Sequence, residues 1–478
     1  MNTLTELTPV PASARLQVLD VIRGFALLGI FLMNVEFFNR PIAELDLGMP
    51  PGVAGVDWWA GWFVHVFVRG KFWTMFSLLF GMGFALMLGR ASEAGRGFVA
   101  PYLRRTLALA AIGALHYLFL WSGDILFSYA MGAAFLMLVF HARPALLFLI
   151  AGVVGVIAGV LQKPELLGLA IPALLFGLLA SALRRWPLSG LRVGGLALFL
   201  VPFALVTMGG VAQTIRSPQA REAAAITAAK TPAEKQELLE AKKKAEQRHD
   251  KKAERVAEER RVMSSGTYPD TVRLRLTTFP QQVKSDLEFT VIIVGMFLLG
   301  AWFIRSGVML RPAEHLALFR RLLWIGLPLG LGLSLVGASI AVTHVRGEND
   351  GPFQLAMGLS MLGNLPASLG YVSALVLAFH HPRWRRWVAW LAPAGRMALT
   401  NYLLQSLIGT ALFYGYGLGH WGMPRAGQLL FVLVVFALQV AFSHWWLARL
   451  RYGPMEWLWR ALTYLQLPTV RREPLAAA

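Results

Sequence analysis

The sequence predicts an all-α protein: a polytopic transmembrane bundle of about twelve spans (10–12) that carries a charged, helical extramembrane insertion. Three observations predict it. Mean hydropathy is +0.55, with 56% hydrophobic and 15% charged residues among 478, a balance that suits lipid better than water. Apolar residues fall in continuous runs of roughly 17 to 25, the length at which a helix crosses a bilayer, without the alternation of barrel strands. One segment, 214–285, departs from this pattern with dense Lys, Arg and Glu.

The runs lie near 21–38, 72–89, 102–121, 124–140, 145–161, 165–183, 191–213, 287–305, 319–343, 353–379, 397–415 and 427–448. The pair 145–161 and 165–183 is the least defined, because "LQKPELL" reads either as a turn between spans or as a break in one re-entrant element. The start, "MNTLTELTPVPASARLQ", has neither a basic region nor a small-residue cleavage site before its apolar run, so no cleaved signal peptide is expected. With both termini cytoplasmic, Arg90, Arg96, Arg104, Arg105, Arg143, Arg184, Arg185, Arg192, Arg305, Arg311, Arg320, Arg321, Arg383, Arg385, Arg386, Arg396, Arg449 and Arg451 all fall on the inner side, as the positive-inside rule asks. A multi-pass membrane protein is the expectation.

Three regions follow: an N-terminal transmembrane bundle at 15–213, the periplasmic insertion at 214–285 and a C-terminal transmembrane bundle at 286–465. In the insertion, "TPAE" offers Thr231 as N-cap, Pro232 at the first helical position and Glu234 at the third. Its scarce apolar positions predict a solvated helix or hairpin with paired charges. The formal charge of +19 sits mostly in short loops, so it reports topology rather than nucleic-acid binding. No cysteine occurs, which excludes disulfides, thiolate metal sites and a cysteine nucleophile.

Ionisable groups inside spans are expensive and mark interior cavities or paired sites. The stretch "LHYLFLWSGDIL" puts His116 at the end of one span and Asp124 at the start of the next. A tight turn at Gly123 folds both toward one cavity. Taken singly, Asp124 reads as an N-cap and His116 as a satisfied core histidine; together, beside Trp121 and Tyr129, they read as a functional pair. "LDVIRGFALLGIFLMN" sets Asp20 and Arg23 one turn apart, either as an interface anchor or with Arg23 available to a phosphate. Asn34 marks the outer boundary or faces the cavity of His116. Lys71, in "RGKFWTMFSLLFGMG", either snorkels to the outer surface or holds an anion there. His65 belongs to an amphipathic interface element, "WWAGWFVHVFV". Asn401 and Gln405, at i and i+4 with Arg396 before them, form either polar glue between helices or a substrate-facing strip. Glu288, His444 and Glu456 sit at span ends, where structural roles are expected. No Walker A loop, G-x-S-x-G elbow or H-E-x-x-H helix occurs, and no metal is expected.

Several stretches together resemble the YeiB-like family of bacterial inner-membrane proteins, a domain of unknown function: "LDVIRGFALLGIFLMN", "KFWTMFSLLFGMG", "LHYLFLWSGDILFSYAMG", "GMFLLGAWFIRSGVM", "GRMALTNYLLQS" and "GPMEWLWRALTY". The resemblance runs from residue 15 to about 465 and places the family's polar positions at Asp20, Arg23, Asn34, Lys71, His116, Asp124, Arg396, Asn401 and Gln405. The long charged segment 214–285 departs from that pattern. The opening "LD..RG" is in turn similar to the transmembrane acyltransferase superfamily, the heparan-glucosaminide N-acetyltransferase-like enzymes.

That second resemblance implies transfer of an acyl group, acetyl foremost, from cytoplasmic acyl-CoA to a hydroxyl or amine at the periplasmic side. The acceptor is an unspecified sugar, lipid or small molecule. Arg23, Arg104, Arg105 and Arg396 would hold the CoA phosphates, and His116, oriented by Asp124, would act as general base. Asp20, Asn34, Lys71, Asn401 and Gln405 would line the substrate or oxyanion cavity. By position in the superfamily His65 competes with His116. The other class is a transporter or lipid carrier that uses the same groups for proton coupling. Membrane lipids and acyl-CoA are the expected partners, nucleic acid is not, and a homodimer is compatible with the sequence.

Overall fold

The computed structural model describes residues 16–44, 53–95, 97–163, 167–215, 232–342 and 351–471. Thr231 and Arg96, on which parts of the sequence reading rest, lie outside the described residues. Helices account for the described secondary structure apart from one isolated bridge between Leu450 and Arg471. They are α1 (Gln17–Phe38), α2 (Gly55–Phe63), α3 (Lys71–Glu93), α4 (Val99–Phe119), α5 (Leu126–His141), α6 (Pro144–Val160), α7 (Leu167–Arg185) and α8 (Pro187–Ile215). There follow α9 (Pro232–Ser265), α10 (Tyr268–Arg305), α11 (Leu316–Arg321), α12 (Leu327–Val342), α13 (Gly351–His380), α14 (Pro382–Ala389), α15 (Ala392–Arg396), α16 (Ala398–Phe413), α17 (Arg425–Arg449) and α18 (Pro454–Tyr464).

A helix stands at each apolar run, but the span count differs from the expected twelve. Among the described residues, seven helical stretches are long and apolar enough to cross a membrane, or eight if α5 and α6, bent by 117° at their junction, count as one. The physical reason is length and charge. Helices α5 and α16 have 16 residues and α6 has 17, short of the roughly 20 that cover a hydrocarbon core, and α4 carries Arg104 and Arg105 in its first two turns.

The outer surface is apolar in a way water would not tolerate: Leu146, Leu149, Val153, Val156 and Val160 line one exposed face of α6. Inside, helix contact depends on small residues, because lipid supplies no hydrophobic drive between apolar helices. A Cβ on Gly81 would overlap the Phe297 carbonyl oxygen and one on Gly300 the Leu78 carbonyl oxygen, so α3 and α10 touch backbone to backbone. Likewise Gly24 abuts the Leu391 carbonyl and Gly395 the Asp20 carbonyl, locking α1 against α15.

Among the described residues of the charged insertion, a long helix, α9, begins at Pro232. Its far end is more than solvated: Met263 is buried and its carbonyl accepts from Gly415 N at 2.9 Å, while Glu259 accepts from Ile42 N at 2.9 Å. After Gly266, Thr267 caps α10 in a box with Asp270. Helix α10 then runs 38 residues without a break, so the boundary drawn at 285 falls inside it. Helices from before 214 and after 286 interleave, with α1 against α15, α16 and α17, and α13 against α8.

Candidate active site

The hairpin from α4 to α5 sets the site. The His116 carbonyl accepts from both Leu120 N and Trp121 N at 2.9 Å, which ends α4 and turns the chain. Gly113, one turn earlier, leaves room for the returning strand of loop: a Cβ there would lie 2.5 Å from Phe127 N and 3.0 Å from Asp124 Oδ2. Asp124 then does two things at once. Its Oδ2 accepts from Phe127 N at 2.7 Å, capping α5, and its Oδ1 lies 2.7 Å from His116 Nδ1. The other ring nitrogen, Nε2, lies 2.8 Å from Ser406 Oγ on α16. All three side chains are buried.

Since a carboxylate only accepts, Nδ1 carries the hydrogen; in the neutral ring Nε2 then accepts the proton of the Ser406 hydroxyl. This is the connectivity that activates a hydroxyl. Aromatic rings enclose it: Trp121 and Tyr402 have centroids 6.3 Å and 5.2 Å from the imidazole. A second buried carboxylate, Asp286 on α10, accepts from Ser128 at 2.8 Å and Gln282 at 2.9 Å.

On one side of Tyr402 is a cavity of about 290 Å³. Six arginines line it, Arg23, Arg90, Arg105, Arg396, Arg451 and Arg460, against two carboxylates, Asp20 and Glu456. Tight backbone contact at Gly24 and Gly395 is what brings Arg23 and Arg396 to one chamber. Asp20 pairs with Arg23 at 2.7 Å, the Arg105 guanidinium lies 3.7 Å over the Trp459 ring, and Arg396 donates to the Arg451 carbonyl at 3.3 Å. Glu456 reaches from α18 to cap α16, accepting from Leu399 N (2.7 Å), Thr400 N (3.0 Å) and Thr400 Oγ1 (2.6 Å). Burial pushes its carboxyl up from the usual range, with these hydrogen bonds opposing. Ile125, Leu126, Tyr129 and Tyr402 also line the chamber. His116, Asp124 and Ser406 do not line it, but the His116 ring packs against Tyr402, with centroids 5.2 Å apart.

The remaining sequence candidates sit elsewhere. Arg104, one residue from Arg105, is not on the lining. Lys71 is buried and donates to the Arg69 carbonyl at 3.0 Å, so it does not snorkel. Asn34 is half-buried and makes no side-chain hydrogen bond among the described residues. Asn401 and Gln405 face α17: Asn401 Nδ2 donates to Ser443 Oγ at 3.0 Å and Gln405 Nε2 to Gln439 Oε1 at 3.0 Å. That is helix glue, although Asn401 Oδ1 and Gln405 Oε1 have no donor among the described residues. His65 lies in a π-helical turn with Nδ1 3.4 Å from Arg69 Nη1 and no carboxylate partner among the described residues. Sequence reasoning missed Ser406, Asp286 and Arg275. Arg275, on α10, is 1% exposed and sits 5.7 Å from the Tyr414 ring with no carboxylate partner among the described residues.

Comparison with known proteins gives a family. The profile described as "Protein of unknown function (DUF418)" matches residues 303–466. The uncharacterized protein YxaH of Bacillus subtilis (strain 168) is 30% identical over 98% of this chain and 99% of its own length. The uncharacterized protein YeiB of Escherichia coli (strain K12) is 28% identical over 93% and 95%. An uncharacterized 39.9 kDa protein of Bacillus acidopullulyticus is 24% identical over 95% and 96%. No solved structure matches.

Proposed function

Because the chain belongs to the YeiB-like (DUF418) family of proteins of unknown function, we propose its activity from its own residues: a membrane-embedded acyltransferase that draws an acyl group, acetyl foremost, from acyl-CoA. One observation carries the reading. Tyr402 lines a chamber together with six arginines, and packed against Tyr402 is a buried imidazole oriented by Asp124. The arginines supply forked donors for the phosphates of CoA, and the apolar end receives the thioester arm. His116 Nε2 then takes the proton of the attacking hydroxyl, and Asp124 stabilises the imidazolium that forms.

In this reading the arginine chamber opens to the cytoplasm, both termini lie there, and the bundle sits in a bacterial inner membrane. Counting α4 to α7 and α16 as crossings as well gives the twelve spans of the sequence pattern. The acceptor, a sugar, lipid or small molecule bearing a hydroxyl or amine, arrives from the other side.

Asp286 favours a second reading. Two buried carboxylates, Asp124 and Asp286, with His116 between helices suit a proton-coupled carrier. The experiment separates them. The chain has no cysteine, so a thiol reagent reads only CoA released from acetyl-CoA. The acyltransferase reading requires acetyl-CoA binding and slow thiol release by the purified protein, with His116→Ala retaining binding and losing release. Absence of binding, with solute uptake driven by a proton gradient in vesicles, overturns it in favour of the carrier.

A further inference from the structure

We propose that Ser406 is the first acceptor of the acyl group, so that transfer passes through an acyl-Ser406 intermediate; this rests on the acyltransferase reading above. The hydroxyl that occupies His116 Nε2 is the chain's own, at 2.8 Å, and Nδ1 is already committed to Asp124 at 2.7 Å. Ser406 also lies 3.4 Å from the Tyr402 carbonyl. That is a longer contact than the one to His116, so the imidazole is the principal partner of the hydroxyl.

Position agrees with chemistry. Ser406 stands one helical turn beyond Tyr402 on α16, about 6 Å along the axis on the same face. Tyr402 lines the arginine chamber. A swing of the Tyr402 ring therefore brings a carbonyl at the chamber's apolar end to Ser406. A serine relay also removes the need for both substrates to meet. The donor occupies the chamber first, and the acceptor comes from beyond Ser406 later.

The steps balance without any further reactant. Ser406 Oγ attacks the thioester carbonyl while its proton passes to His116 Nε2; the new C–O bond forms and the C–S bond breaks. The leaving thiolate takes the proton from Nε2. An acceptor hydroxyl or amine then gives a proton to Nε2 as it attacks the ester carbonyl. The bond to Ser406 breaks, and Oγ recovers that proton.

The test uses the full-length protein in detergent with acetyl-CoA radiolabelled in the acetyl group, quenched in acid and digested. The expected result is label on the peptide containing Ser406, absent in His116→Ala. Ser406→Ala is expected to bind acetyl-CoA as the wild type does and to release thiol more slowly by about 100-fold or more. Ser406→Cys, which keeps volume and a nucleophile, should carry label that neutral hydroxylamine removes. Thiol release by Ser406→Ala within about threefold of wild type, or label on His116 instead, overturns the relay and leaves the acyltransferase reading standing. No binding or turnover of acetyl-CoA by the wild type overturns both.

Discussion

Gly395 rests on the carbonyl oxygen of Asp20, with no space for a Cβ between them. This contact, with Gly24 against Leu391, sets the distance between the helices that bear Arg23 and Arg396, and so the width of the arginine chamber. Substituting Gly395→Val forces α1 and α15 apart. Overpacking of this kind destabilises by about 1–3 kcal/mol. Thermal unfolding in detergent should show a lowered Tm, and acetyl-CoA affinity should fall with it.

The arginines should divide by position. Arg396 and Arg23 line the chamber, whereas Arg104 does not. Loss of one hydrogen-bonded charge contact to phosphate is worth about 1.5–3 kcal/mol, so Arg396→Ala should weaken acetyl-CoA binding by roughly 10- to 100-fold. Arg104→Ala should leave it within about twofold. Equilibrium binding checks both, and equal losses would refute the assignment of the chamber.

Tyr402 divides the chamber from His116. Its hydroxyl lies 3.4 Å from the Gly123 carbonyl, a long bond that contributes little. Tyr402→Phe should therefore behave like the wild type. Tyr402→Ala removes the ring and opens the chamber to the imidazole. In that variant thiol release without acceptor should rise several-fold, measured with the thiol reagent.

Glu456 offers a pH test away from the candidate spans. Its three accepted hydrogen bonds cap α16, and Glu456→Ala should cost about 1–2 kcal/mol, the scale of a lost cap. Burial raises its carboxyl in the folded protein. A raised folded pKa contributes stability that is complete below the unfolded value, about 4.3, and is lost as pH climbs through the folded one. Relative to Glu456→Gln, which stays neutral, the wild type should lose Tm over that rise. A wild-type Tm that rises relative to Glu456→Gln as pH climbs would contradict the direction of the shift.

Helix positions were legible because long apolar runs leave few alternatives. The count of crossings was not, since α5 and α16 are too short by their 16 residues and only tertiary packing decides whether such helices traverse a membrane. His116 and Asp124 stood out because a charge in an apolar run has no inexpensive explanation. Ser406 did not, because a serine in a span is commonplace and satisfies itself on its own helix. Neighbours on a helix point about 100° apart, so the sequence alone does not show that Arg105 turns toward the chamber and Arg104 away. Nor does it show that α17 claims Asn401 and Gln405, since that depends on which helix packs against their common face. Arg90 on α3, Arg451 in the link between α17 and α18, and Arg460 on α18 join Arg23 on α1 only because these elements converge.

The most direct test compares thiol release from saturating acetyl-CoA by the wild type and by Asp124→Asn. Asparagine still caps α5, so the fold survives, but the ring of His116 loses the acceptor that holds its Nδ1 hydrogen. The account predicts unchanged acetyl-CoA binding and release slowed by about 100-fold or more. Equal release by the two proteins would contradict it.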